Sequence, residues 1–139
     1  MVMRILAIDY GLARIGLAMS DPTGILAQAY GVLSRRNDIL AVQDIADVVS
    51  KESVDVIVVG HPITLKGERG DRAIAAEEFA AAIRDKTGKD VLMHDERLTT
   101  RQAERVLIEG DVRRQKRKQV IDAMAATLLL QSYLDARRR

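Results

Sequence analysis

The chain opens with a nearly unbroken apolar run, Met3-Arg4-Ile5-Leu6-Ala7-Ile8, that stops at Asp9-Tyr10-Gly11. A strand covered on both faces has no polar side, so this run predicts a buried central strand that carries the Asp9 carboxylate to the rim of a sheet. Taken alone, a carboxylate there is a common way to end a strand, hydrogen-bonded to the turn that follows. Ile15 to Ser20 alternates large and small side chains with a period of two, Asp21-Pro22-Thr23-Gly24 has turn composition, and Gln28 to Leu33 reads as a third strand. Turns this short join only antiparallel neighbours, so the chain begins as a three-stranded meander.

The period changes at Asn37. Ile39, Val42, Ile45, Ala46 and Val49 recur at three- and four-residue spacing, which predicts an amphipathic helix capped by Asn37 or Asp38. Val54 to Val59 is a β-branched run stopped by Gly60-His61-Pro62, a second buried strand. A loop marked by Gly67 and Gly70 leads to an Ala-rich helix whose expected inner face is Ile74, Phe79, Ala82 and Ile83, with Gly88 as its stop. Lys89 to His94 reads as a strand ending in Asp95-Glu96-Arg97. Thr99 and Gln102 have capping-box spacing for a helix running to Gly110. A last helix should place Val120, Ala123, Met124, Thr127, Leu128, Gln131 and Leu134 on neighbouring turns.

The order βββαβαβαα implies an α/β fold: a central five-stranded mixed sheet, three antiparallel strands then two parallel ones, with helices on both faces. Strands reached through helices run parallel, so the ends at Asp9, Gly60-His61 and Asp95-Glu96 share one rim, where open α/β sheets bind ligands. With 139 residues, 47% of them hydrophobic, and no repeat or linker, residues 1–139 are expected to form a single domain. The absence of Cys excludes disulfides and thiolate metal sites. No stretch approaches the roughly 20 apolar residues of a membrane span, so the expectation is a cytoplasmic protein with no membrane partner.

The formal charge of +2 points to no partner by itself, but its distribution does. Arg113, Arg114, Lys116, Arg117 and Lys118 crowd one stretch, Arg35 and Arg36 are adjacent, and the chain ends Arg137-Arg138-Arg139. Such clusters suit a phosphate-contacting surface as well as a solvated helix entry and tail. Aromatic residues make up only 3%, which argues against recognition by an aromatic stacking platform. Two acidic strand ends on one rim repel each other unless a cation lies between them. Hard oxygen donors favour Mg²⁺ or Mn²⁺, and with basic surface nearby the fitting chemistry is phosphodiester hydrolysis, for which a metal pair about 4 Å apart activates water and stabilises the leaving oxygen. His61 and His94 are candidate ligands or bases, although a histidine beside a strand end is more often an ordinary hydrogen-bonding residue.

Four stretches together resemble the YqgF/RuvX family: Asp9-Tyr10-Gly11-Leu12-Ala13-Arg14-Ile15-Gly16, Val59-Gly60-His61-Pro62 with Gly67 and Gly70, Asp95-Glu96-Arg97-Leu98-Thr99-Thr100, and Ile121-Asp122-Ala123-Met124-Ala125-Ala126. They occur in family order across essentially the whole chain. The family is assigned to pre-16S rRNA processing and is similar to Holliday junction resolvases of the ribonuclease H-like superfamily. The resemblance implies a ribonuclease H-like fold and a metal-dependent endonuclease with catalytic, metal-binding carboxylates at Asp9, Glu96 and Asp122. Asp122 enters only through the family pattern, because near a helix start it would otherwise read as a capping carboxylate. Arg14, Arg97, Arg113, Arg114, Lys116, Arg117 and Lys118 then become candidate nucleic-acid contacts. His61 departs from the apolar residue expected between Gly60 and Pro62.

The implied partners are precursor rRNA or branched DNA, together with ribosomal particles, and the implied state is a monomer or homodimer. Three other readings compete. Action on a four-way DNA junction would call for a two-fold dimer. A phosphotransferase of the actin and sugar-kinase type shares the opening strands and the Asp-x-Gly turn, but needs two such domains around its nucleotide. A non-catalytic RNA-binding or ribosome-assembly factor would have no use for carboxylates that repel phosphate.

Overall fold

The computed structural model describes residues 3–62, 70–95 and 114–137, with side chains of the last helix from Ala123 onward. Strands β1 (Ile5–Tyr10), β2 (Arg14–Ser20), β3 (Ala27–Ser34), β4 (Val56–His61) and β5 (Asp90–Asp95) form one sheet in the order β3-β2-β1-β4-β5. The β1–β2 and β2–β3 pairs are antiparallel, whereas β1–β4 and β4–β5 are parallel. This is the mixed sheet that the element order implies. The helices are α1 (Asp38–Lys51), α2 (Asp71–Thr87) and α3 (Arg114–Arg137), and the expected helix from Thr99 to Gly110 lies outside the described residues.

Strand alternation divides β1 between two cores. Leu6, Ile8 and Tyr10 join Leu17, Ile57 and Val59 beneath Ala41, Ile45 and Val49 of α1 and Ala76, Phe79 and Ile83 of α2. Ile5 and Ala7, with Ala18 and Val58, meet Ala126, Leu129, Leu130 and Leu134 of α3 on the other side. Both faces are covered, which is why the strand is apolar up to its end. Each fully buried Leu or Ile contributes roughly 1.5–3 kcal/mol relative to exposure.

Local signals set the element ends. Asn37, not Asp38, caps α1, its side-chain oxygen accepting the Leu40 N–H at 2.9 Å. Gly88 closes α2 in the left-handed conformation, with φ at 70° and its N–H donating to the Arg84 carbonyl at 2.8 Å. In the β2–β3 turn the Asp21 carboxylate accepts from the Thr23 hydroxyl at 2.6 Å and from the Leu26 and Ile25 amides at 3.1 and 3.0 Å. These contacts, Thr23 first, hold the Asp21 carboxyl below its usual range.

Two expected helix faces are corrected. In α2 the buried stripe is Ala73, Ala76, Phe79, Ala80 and Ile83, while Ile74 and Ala82 are exposed, because small alanines let the helix lie close to its neighbours. In α3 the stripe is Ala126, Leu129, Leu130 and Leu134, with Ala125 also buried, and not the run through Ala123, Thr127 and Leu128. The segment from Ala123 to Leu130 is apolar or small nearly all round, so periodicity alone does not choose its inner face. Gln131, expected inside, instead clamps α3 to the start of β3, accepting the Ala27 N–H and donating to the Ile25 carbonyl, both at 3.0 Å. Among the described residues no helix is long and apolar enough to cross a membrane.

Candidate active site

The strand order turns back between β1 and β4. From β1 the chain moves outward to the β3 edge, then returns through α1 to β4 on β1's other side. A crevice opens at such a switch point beyond the carboxyl ends of the parallel strands, and Asp9 stands there, half-buried. On the β2 side it is in register with Gly16, and one step past the Ile8–Val59 pair it stands beside Gly60 on β4. The strand positions about 4.8 Å to either side of Asp9 in that row are therefore glycines, which carry no side chain. Alternation puts Asp9 on the side of Ile5 and Ala7, the side covered by α3.

The other sequence candidates divide by face. His61 and Asp95 are partners in the β4–β5 register, two steps beyond Val59 and Met93, and therefore lie on the α1–α2 side, away from Asp9. His61 Nε2 meets Glu77 Oε2 of α2 at 2.6 Å, which accounts for a histidine where an apolar residue was expected. His94 is in register with Gly60 and so belongs to the Asp9 row, where its Nε2 meets Ser132 Oγ of α3 at 3.1 Å. Arg14 begins β2 at the same rim. Glu96, Arg97 and Arg113 lie outside the described residues. Arg114, Lys116, Arg117, Lys118 and Asp122 belong to the first half of α3, where the described residues give backbone but not side chains. Among the described residues no three His, Asp or Glu gather as a metal site, so of the expected triad only Asp9 is placed with its side chain.

The turn after Asp9 is tightly built. The Gly11 N–H donates to the Arg14 carbonyl at 3.0 Å, and a Cβ on Gly11 would lie 2.5 Å from that same oxygen. Arg35, which sequence reasoning noted only as one of a basic pair, pins this turn from outside. Its backbone N–H donates to the Ala13 carbonyl at 3.0 Å and its Nη1 to the Gly11 carbonyl at 3.1 Å. The same guanidinium lies 4.1 Å over the Tyr10 ring and is bonded to Asp38 Oδ1 at 2.9 Å, while Tyr10 stacks on Phe79 at 4.2 Å. The Asn37-Asp38 capping pair was the available signal, but it pointed to a helix start and not to a partner 28 residues away.

Tyr10 donates its hydroxyl proton to Asp38 Oδ2 at 2.8 Å. Burial first, and then this bond to a carboxylate, push the phenol up from 10.0 to about 12. Burial pushes Asp38 upward too, but the hydrogen bonds from Arg35 and Tyr10 together outweigh it and its carboxyl sits below the usual range. The Tyr10 shift stabilises the fold fully below pH 10, where the unfolded phenol is still neutral, and that contribution is lost as pH rises to about 12. Urea denaturation should therefore show Tyr10→Phe less stable than wild type at pH 8, with the gap narrowing by roughly 2 kcal/mol by pH 12. A gap independent of pH would contradict the buried Tyr10–Asp38 bond.

In three dimensions the chain is similar to the Fowlpox virus resolvase solved with Holliday junction DNA, with a TM-score of 0.64, 13% identity and 99% and 100% of the two chains covered. It is also similar to the T. thermophilus RuvC solved with a Holliday junction substrate, with a TM-score of 0.56, 17% identity and 98% and 96% covered. At such identities the likeness shows the fold, which is ribonuclease H-like. Two bacterial relatives bear the name "Putative pre-16S rRNA nuclease". That of Geobacillus kaustophilus is 43% identical over 139 residues, 98% of this chain and 100% of the relative. That of Bacillus cereus is 44% identical over 137 residues, 97% and 100%. Fold and relatives together define a nuclease, a hydrolase acting on nucleic acid. Within that class the chain belongs to the RuvX family, described as Holliday junction resolvase, whose profile matches residues 3–136.

Proposed function

We propose that this chain is a single-domain, divalent-metal-dependent endonuclease that processes the 5′ end of pre-16S rRNA in the cytoplasm, acting on precursor RNA or on ribosomal particles that contain it. The observation that carries the chemistry is Asp9 at the switch point, flanked by Gly16 and Gly60, on the face that α3 covers. Asp95 belongs to the face opposite Asp9, and Glu96 is proposed as the acid of that stretch on the family pattern. Position 122 is one helical turn before the buried Ala126, in line with Leu130 and Leu134. Asp9, Glu96 and Asp122 are the proposed ligands of Mg²⁺ or Mn²⁺. An oxygen-only set at a glycine-flanked strand end suits a hard cation that keeps part of its water shell. Such a cation, when bound, supplies an activated water and charge stabilisation at the leaving oxygen. Arg14, Arg97, Arg113, Arg114, Lys116, Arg117 and Lys118 are the proposed phosphate contacts.

The RNA substrate follows the name carried by the relatives. The family description and the resolvase fold favour a second reading, symmetric nicking of a four-way DNA junction, which calls for a two-fold dimer. Side-by-side cleavage of a structured 16S precursor RNA and a four-way junction in Mn²⁺ separates the two. The expected result is a defined cut in the precursor, with the junction at least about tenfold slower, a difference of about 1.4 kcal/mol in barrier. Symmetric nicking of the junction with the precursor left intact would reverse the assignment.

A further inference from the structure

Leu12 stands at the tip of the β1–β2 turn and is 77% exposed. Single surface leucines carry no meaning by themselves. What sets this one apart is its place and how firmly it is held. It follows Asp9 by three residues, so about 10 Å of backbone is the most that can separate them. The carbonyls on either side of it, of Gly11 and Ala13, both accept from Arg35 at 3.1 and 3.0 Å, and Arg35 is itself fixed against Tyr10 and Asp38. The Gly11 N–H to Arg14 carbonyl bond closes the turn beneath it. An apolar side chain is thus presented to solvent on a braced tip, next to the proposed catalytic carboxylate and between Arg14 and the Arg35-Arg36 pair.

We propose that Leu12 is a specificity-determining residue that packs against a nucleobase beside the scissile phosphate, so that the enzyme prefers a step whose base can leave its stack. This inference rests on Asp9 marking the site of cleavage. A strand with its scissile phosphate at Asp9 passes the tip within a nucleotide or two, and neighbouring arginines hold its backbone there. Apolar side chains inserted at base steps are a general means of unstacking nucleic acid. With aromatic residues at only 3% of the chain, a braced leucine beside Asp9 is, among the described residues, an apolar surface that this rim offers to a base. Leu26, 57% exposed in the β2–β3 turn at the opposite end of the sheet, provides a matched control because it is equally apolar and remote from the rim.

The test uses a precursor RNA stem carrying 2-aminopurine next to the mapped cleavage site, bound by the full chain in the Asp9→Asn background so that it stays uncut. Binding should raise 2-aminopurine fluorescence as the base unstacks. Adding Leu12→Ser or Leu12→Gln should abolish the rise, Leu12→Met should keep it, and Leu26→Ser should leave it unchanged. In the otherwise wild-type enzyme Leu12→Ser should lower kcat/KM on the paired substrate by about tenfold or more, and by less on a substrate already unpaired at that step. No fluorescence rise with the Leu12-bearing protein, or wild-type fluorescence and cleavage with Leu12→Ser, would overturn the proposal. Leu12→Gln reads the same point if Leu12→Ser misfolds. Cleavage retained by Asp9→Asn would instead remove Asp9 from the site, and the fluorescence would still report on Leu12.

Discussion

Asp9→Asn should lower cleavage by on the order of a thousandfold or more, with the fold retained, in single-turnover assays on precursor RNA in Mn²⁺. Removing one well-placed electrostatic group from an active site commonly costs two to three orders of magnitude, and a carboxylate that both holds a cation and orients water does more than a single hydrogen-bond donor. The fold should survive because Asn has the shape of Asp. The residue is only half-buried, at the end of a strand whose stability comes from Ile5, Leu6, Ala7 and Ile8. Thermal melting within a few degrees of wild type distinguishes lost chemistry from lost structure. Glu96→Gln and Asp122→Asn should behave alike, and full activity in any of the three removes that residue from the site.

Gly11→Ala is expected to damage stability and activity together. The added Cβ would meet the Arg14 carbonyl oxygen at 2.5 Å, and the obstacle is backbone, so no rotamer change relieves it. The turn must open, losing the Gly11–Arg14 hydrogen bond and displacing Arg14 relative to Asp9. Overpacking of this kind costs about 1–3 kcal/mol, and an ångström of misplacement at a catalytic group can cost about a hundredfold in rate. Gly31→Ala is the comparison, because nothing lies within 4 Å of its added Cβ and its φ is ordinary, so it should change stability by less than about 1 kcal/mol. Urea midpoints and kcat/KM for the two variants check both claims. Equal stability would mean that the Asp-Tyr-Gly turn is not held as described.

The legible part of the fold was the part written in one dimension. The run Ile5 to Ile8 is apolar at every position because α1 and α2 cover one side of it and α3 the other, and the sequence shows both requirements at once. The change from period two to period 3.6 at Asn37 marked the end of the meander, and the parallel pairing of β4 followed from its route through a helix. The inner faces of α2 and α3 were less legible, since an Ala-rich or uniformly apolar helix has no contrast to read. Long-range partners were not legible at all. Nothing near His61 announces Glu77, and nothing near Tyr10 announces Arg35 and Asp38, because these contacts exist only once α1 and α2 are laid on the sheet.

The site was legible in the same uneven way. Asp9 stood out as the polar end of an apolar strand, and the shared rim gave it a purpose. By residue type Asp95 and Glu96 were adjacent alternatives and only the family pattern chose Glu96; register places Asp95 with His61 on the far face. Asp122 carried no local signal, since a carboxylate near a helix start is ordinary, and only the family pattern drew it in. The competing phosphotransferase reading shared the opening strands and turn. The RuvX match over residues 3–136 decides against it.

Asp9, Glu96 and Asp122 are proposed to converge on one cation. Titration of Mn²⁺ followed by electron paramagnetic resonance, on wild type and on Asp9→Asn, Glu96→Gln and Asp122→Asn, tests it directly. Each substitution should weaken Mn²⁺ binding by about tenfold or more, since each removes one charged oxygen ligand from the same ion. Unchanged Mn²⁺ affinity in any one of the three would show that its carboxylate stands apart from the others, and would contradict a shared site.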